Sequence, residues 1–233
     1  MVDYYHSAEA RWFSTTTDLL STWLTWFSRN GRLKVVKSAT KTAVTGPHIK
    51  RERLRKDEYL ILPCSESTGV KQRQGRFEIK SLVSAPRPWS GYGMVGRIDQ
   101  WVKWSFDPPD DEFRIQLAER LTGKQKSPGS GNWRTVTKTR YLQKYSYDEG
   151  SLREISPDHR PTKGCNVELT RIAVNASQSN WITLGFESFG EPGSVLQQLD
   201  ASLQYYFTNH KLPPHPLTGA NSLNYPTWIA LLD

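Results

Sequence analysis

The chain has 233 residues, 36% of them hydrophobic and 12% aromatic, which suffices for the core of one large domain or two small ones. Its 31 Lys and Arg against 23 Asp and Glu give a formal charge of +8, favouring anionic partners such as phosphates, nucleotides, nucleic acid or an acidic membrane surface. No apolar run approaches the ~20 residues of a membrane span, and the opening MVDYYHSAEARWF lacks the basic start and apolar block of a secretory signal, so a cytoplasmic protein is expected.

Ser7 to Phe13 reads as a short strand with Ser7, Glu9, Arg11 and Phe13 on one face. Thr15 to Thr17 offer caps and Asp18 suits the positive end of a helix. The segment DLLSTWLTWFSRNG then carries Leu19, Leu20, Trp23, Leu24, Trp26 and Phe27 at helical spacing and stops at Gly31. Its tryptophans read as core rather than as a binding platform. Leu33 to Lys56 is basic. Within it, LKVVKSATKTAV holds a strand before Gly46-Pro47, and HIKRERLRKDEYLIL reads as a strand with one solvated face. Its acids are too densely interspersed for a nucleic-acid patch, and Pro63 closes its apolar end, Glu58 to Leu62.

The stretch GVKQRQGRFEIK, residues 69–80, reads as two extended arms about Gln74-Gly75. Lys71 and Arg73 share one face of the first arm, and Glu78 and Lys80 share one face of the second. SAPRPWSGYGMVG reads as a loop and DQWVKWSF as a strand. DPPDDEFRIQLAERL reads as a short helix entered at Pro109, with Phe113, Leu117 and Leu121 on its buried stripe, and GKQKSPGSGN as a connector. Four more strands follow: WRTVTKTRYLQKY, SLREIS, CNVELTRIAV and WITLGFESF. The first repeats the alternation, with Arg134, Lys138 and Arg140 on one face. VLQQLDASLQYYFTNH carries Val195, Leu196, Leu199, Leu203 and Phe207 as a helical stripe. The tail KLPPHPLTGANSLNYPTWIALLD has little regular structure before a last turn at Thr227 to Leu231.

With no composition break and no repeat, the chain reads as a single domain over residues 1–233, with a C-terminal helix and extended tail over about 193–233. Nine or so strands and three helices, mostly in hairpin order, indicate the α+β class with a large antiparallel sheet. Eight to nine strands can close into a β-barrel, which removes exposed edges. Closure would turn Glu9, Arg11, Lys71, Arg73, Glu78, Lys80, Lys103, Lys138, Arg140, Glu168 and Glu187 inward. Desolvating each charge costs several kcal/mol even when paired. A wet bore that receives a polyanion removes that difficulty; the alternative is an open sheet with its charged face in solvent. Lys and Arg neutralise phosphate oxygens, Arg through two parallel hydrogen bonds. Carboxylates beside phosphate make sense if they hold a divalent cation, and Mg²⁺ or Mn²⁺ take oxygen ligands and bridge to phosphate. The chemistry of such a site is phosphoryl transfer to water. The five histidines show no ligand spacing, and Cys64 and Cys165 make neither a disulfide framework nor a nucleophile pattern.

An acidic first strand, a helix, then VKQRQG, FEIK, TKTRY and a late acidic strand resemble the CYTH superfamily, the triphosphate tunnel metalloenzymes. That group includes thiamine triphosphatases, inorganic triphosphatases, class IV adenylate cyclases and related RNA triphosphatases. The resemblance spans most of the first 190 residues as an ordered series of short motifs. The family's opening Glu-x-Glu-x-Lys looks like Ser7-Ala8-Glu9-Ala10-Arg11, with Glu9 as the second glutamate, Arg11 as the lysine and Ser7 in place of the first glutamate. The resemblance implies substrate-binding roles for Arg11, Lys71, Arg73, Lys80, Lys138 and Arg140. It implies metal-binding and catalytic roles for Glu9, Glu168 and Glu187, with Mg²⁺ or Mn²⁺ as cofactor. The family usually places a second acid two residues from the position of Glu187, where this chain has Gly185 and Phe189. The cationic half is nearly complete and the acidic half is thinned.

The expected function is binding of a triphosphate-containing small molecule or inorganic polyphosphate, with metal-dependent hydrolysis. A non-catalytic nucleotide- or polyphosphate-binding module of the same fold is the alternative. A nonspecific RNA-binding protein is the least favoured reading, and no residues for a nucleobase pocket stand out.

Overall fold

Long runs in which apolar and charged residues alternate build a protein made mostly of strands. The computed structural model describes residues 3–15, 20–30, 49–63, 65–110, 112–123, 133–148, 150–174 and 180–232. The strands are β1 (Asp3–Thr15), β2 (Lys50–Arg51), β3 (Arg55–Leu60), β4 (Thr68–Arg73), β5 (Arg76–Leu82), β6 (Arg87–Gly91), β7 (Met94–Phe106), β8 (Trp133–Asp148), β9 (Ser151–Ile155), β10 (Gly164–Val174) and β11 (Asn180–Gly190). The helices are α1 (Leu20–Asn30), α2 (Phe113–Thr122), α3 (Val195–Asn209) and α4 (Tyr225–Ala230). The strand expected in LKVVKSATKTAV, the caps at Thr16 to Asp18, Gly31, His48, Cys64 and most of GKQKSPGSGN lie outside the described residues.

Eight strands close in the order β1-β11-β10-β8-β3-β4-β5-β7, and β7 returns to pair with β1. Every pairing is antiparallel. The expected α+β class with a closed barrel is therefore what the chain forms. Strand β6 extends β7 past one end, while β2 and β9 lie along β8. No helix among the described residues is long and apolar enough to cross a membrane.

Because side chains alternate, each strand has an outward and an inward set. Ala8, Ala10 and Trp12 of β1 turn outward with Val167 and Leu169 of β10 and Leu184 and Phe186 of β11. They bury against Leu199, Leu203, Tyr206 and Phe207 of α3 and against Trp23, Trp26 and Phe27 of α1, so those tryptophans are core. Leu60, Val70 and Phe77 form a second outer patch under Phe113 and Leu117 of α2. The stripe expected on α2 ends there: Leu121 is 45% exposed, because the helix leans on the barrel by its first two turns only.

Two further expectations are corrected. SAPRPWSGYGMVG is a hairpin of β6 and β7, not a loop. Its turn residues Tyr92 and Gly93 have φ of 55° and 74°, a two-residue geometry that matches strand twist and also joins β4 to β5 at Gln74-Gly75 (51° and 83°). Its prolines are tolerated because β6 pairs on one side alone. HIKRERLRKDEYLIL is two strands rather than one; Lys56 and Glu58 of β3 form the expected solvated face, but its other face is charged too, and Arg55 and Asp57 turn into the barrel, where Asp57 is fully buried.

The C-terminal tail closes one end. Asn224 caps α4 by accepting from the Thr227 amide at 2.9 Å, and Pro226 occupies its first turn. Tyr225, Trp228 and Ile229 join inward-facing Phe13, Val136 and Ile172 in one buried cluster. Trp228 stacks on Phe13 at 5.0 Å and Tyr225 on Tyr59 at 5.7 Å. The barrel is thus a cup with an aromatic floor. Trp228→Ala is expected to lower stability by about 3–5 kcal/mol in urea titration followed by circular dichroism, the usual scale for deleting a buried aromatic. A loss under ~1 kcal/mol would show that the floor is not part of the cooperative core.

Candidate functional site

Above the floor the inward register is almost wholly charged. The bore is a cavity of about 980 Å³ lined by nine Lys and Arg and five Glu. All nine expected site residues lie on it: Arg11, Lys71, Arg73, Lys80, Lys138 and Arg140 among the cations, and Glu9, Glu168 and Glu187 among the acids. Glu78 and Lys103 line it as well, whereas Arg134 does not.

The basic hairpin forms one side. The register of β4 and β5 sets Lys71 opposite Glu78, and the carboxylate takes Lys71 Nζ at 2.8 Å and Arg73 Nη2 at 2.6 Å. Burial would raise the Glu78 carboxyl, but Lys71 and Arg73 outweigh it and hold it at about 2. One carboxylate thus serves two cations and leaves the pair of strands with excess positive charge.

Around the wall, like charges face each other. Lys80 stands opposite Lys103 across β5 and β7, and Glu9 stands opposite Glu187 across β1 and β11. Such pairs repel when left alone. Here each lysine takes a different carboxylate: Lys103 bonds Glu187, while Lys80 lies 3.6 Å from Glu9 Oε2 and over the Trp101 ring at 4.0 Å. Burial works against the Glu9 carboxylate, yet Lys80 and Arg11 hold it well below the usual carboxylate range.

Arg140 grips Glu52 with two parallel bonds of 2.6 and 2.8 Å and turns its third nitrogen to Glu168. Arg11 donates Nε to Glu9 at 2.5 Å, Nη1 to Thr183 at 3.0 Å and Nη2 to Glu168 at 3.3 Å. Burial raises the Glu168 carboxyl, but Arg140 and Arg11 bring it down to about 2. Each carboxylate expected to hold metal therefore has a side-chain cation at ion-pair distance. Among the described residues no three of His, Cys, Asp or Glu form a group that holds a metal ion.

Lys138 sits deepest and is 2% exposed. Its Nζ donates to the Tyr59 hydroxyl at 2.6 Å, lies 3.2 Å from Asp57 and 3.6 Å from the centre of the Tyr225 ring. Burial pushes its pKa well below that of an ordinary lysine despite Asp57. It belongs to the floor as much as to the bore.

Sequence reasoning missed Arg55, Arg160, Asn166, Thr170, Tyr59 and Tyr225, all on the lining. The period-two run Arg55, Asp57, Tyr59 was a usable signal for two of them, as was the Asn-x-Pro cap for Tyr225. Arg160 follows β9 in a turn and carried none. Cys165 lies buried on the outer face, away from the bore, where burial pushes its thiol up to about 12 and so disfavours the thiolate.

Fold and site together define a closed antiparallel barrel with a charged, one-ended bore. No family model matches the chain, and no curated protein matches it. Among solved structures, the PH1819 protein from Pyrococcus horikoshii OT3 is similar with 11% identity, over 97% of this chain and 97% of its own, at a TM-score of 0.40.

A pH test follows from Glu78. Its folded pKa of about 2 lies below the ordinary 4.5, so its contribution is fully present above pH 4.5 and drains away as pH falls towards 2. Glu78→Gln should flatten the stability profile in that window. An unchanged acid limb in denaturant titrations would contradict the assignment.

Proposed function

We propose that the cup binds a triphosphate group end-on, carried by a small molecule or by inorganic polyphosphate. The observation that carries this reading is the excess of cations around the bore of about 980 Å³: nine Lys and Arg line it against five Glu, and Asp57 and Glu52, paired with Arg55, Lys138 and Arg140 from outside the lining, still leave the cations in the majority. Cations held out of bulk water without enough counter-charge are costly, and a multivalent anion supplies what these carboxylates do not. Guanidinium and ammonium groups on opposing strands are suited to a chain of phosphate oxygens. The volume lies at the upper end of ordinary small-ligand pockets, ~300–1,000 Å³, and so accepts more than phosphate. Tyr4 and Tyr5 line the mouth, where an organic head group would emerge. The aromatic floor favours entry by one end of a short phosphate chain over threading of a long one.

The resemblance to the triphosphate tunnel metalloenzymes supports the same reading through Lys71, Arg73, Lys80, Lys138 and Arg140. It also implies hydrolysis assisted by Mg²⁺ or Mn²⁺. The register sets Glu9 opposite Glu187, as that second reading requires, but both carboxylates are ion-paired, which weighs against it. Phosphate release from tripolyphosphate with either metal separates an enzyme from a binding module.

Lys71→Ala and Arg73→Ala should each weaken tripolyphosphate binding about tenfold or more in calorimetry, the scale of one charge-assisted hydrogen bond. Their melting should stay cooperative. Unchanged affinity in both would contradict the proposal. Affinity that grows with oligonucleotide length, falls steeply with salt and ignores tripolyphosphate would point instead to nonspecific RNA binding. Lys138→Ala is a poor probe of binding, since it leaves Asp57 buried with less charge compensation.

A further inference from the structure

We propose that the guanidinium of Arg11 is the resident cation on the acidic side of the bore, so that the cup takes its phosphate ligand without a protein-held divalent metal. The ligand half of this statement rests on the triphosphate reading; the metal half stands on the geometry of three strands.

Glu168 on β10, Gly185 on β11 and Arg11 on β1 lie in one row across the sheet. Arg11 crosses β11 in the space that Gly185 leaves open. A Cβ at position 185 would come within 2.5 Å of Arg11 Cζ and 2.6 Å of both Nη atoms. A carboxylate-bearing residue there would therefore evict the guanidinium. The glycine is a cradle for a cation.

The donor set agrees. A resident Mg²⁺ or Mn²⁺ needs several oxygens free to turn towards it. Glu9 gives Oε1 to Arg11 and has Lys80 beside Oε2. Glu168 gives Oε2 to Arg11 and Oε1 to Arg140. Glu187 is bonded to Lys103. Ser7, one alternation before Glu9, is fully buried and supplies no carboxylate. The residues present do not fit a bound divalent ion, because two carboxylates that would need one already share a guanidinium. Arg11 also has five N–H groups, of which three serve Glu9, Thr183 and Glu168. Two N–H groups are left over, on a side chain that lines the bore.

The test uses the full chain. Mn²⁺ titration without phosphate, read by electron paramagnetic resonance, should show no stoichiometric uptake. Tripolyphosphate should bind, by calorimetry, in chelator with no divalent ion present. Gly185→Ala should weaken that binding about tenfold in chelator, through the displaced guanidinium. If Gly185→Ala melts without cooperativity, Arg11→Lys replaces it: the ammonium keeps the charge, loses the fork and should weaken binding similarly. Stoichiometric Mn²⁺ uptake by the unmodified chain, a requirement for Mn²⁺ in tripolyphosphate binding, or full affinity in the folded variants would each overturn the proposal. Absence of tripolyphosphate binding with and without Mn²⁺ overturns the phosphate reading instead, and the Mn²⁺ titration alone then decides the role of Arg11.

Discussion

The pairing of β7 with β1 is the constraint on which the rest depends. It joins segments about ninety residues apart and turns an open sheet into a cup. An open sheet could leave its charged face in water. A closed one must find partners for nine cations and five carboxylates within a bore. Each later feature of the molecule answers that demand. Like charges face each other across two strand pairs, and each member turns to an opposite charge elsewhere on the wall. Arg140 reaches out of the barrel to Glu52, and Arg11 reaches across β11 to Glu168. The acids are fewer than the cations, and the surplus positive charge is the basis for assigning an anionic ligand.

The floor matters for the same reason. Aromatic rings from β1, β3 and α4 fill the end opposite the mouth, so the deepest cation, Lys138, meets two tyrosine rings and Asp57 rather than bulk water. Desolvation raises the strength of every charge interaction above it. Burial also lowers the pKa of Lys71 and Lys80, a direction that an incoming anion would reverse. Binding and bore charge are in this sense linked.

Much of this was legible in the chain itself. The period of two in GVKQRQGRFEIK and WRTVTKTRY correctly put Lys71, Arg73, Lys138 and Arg140 on one surface, and the same rule placed Glu9, Arg11, Glu168 and Glu187 there. What local pattern could not carry is contact between distant strands. The role of Gly185 exists only because Arg11 lies beside it on β1, 174 residues earlier, and nothing near Gly185 announces that neighbour. The inward half of the charged run before Tyr59 was hidden because the partners of Asp57 and Glu52, Lys138 and Arg140, are remote in sequence. Tyr225 sits in a proline-rich tail with no strand or long helix to mark it, and its place under the bore follows from packing alone. Prolines hid the β6–β7 hairpin, since their exclusion from sheets does not extend to an edge.

The central claim is that the surplus of cations inside the barrel, rather than basic residues on its surface, holds a triphosphate. A crystal grown with tripolyphosphate tests this most directly. The account predicts a phosphate chain within the bore, between the Lys71–Arg73 side and Arg140, with one end towards the floor. Phosphate bound only outside the mouth, with the ion pairs of Glu78 and Glu168 undisturbed and the bore empty of phosphorus, would contradict it.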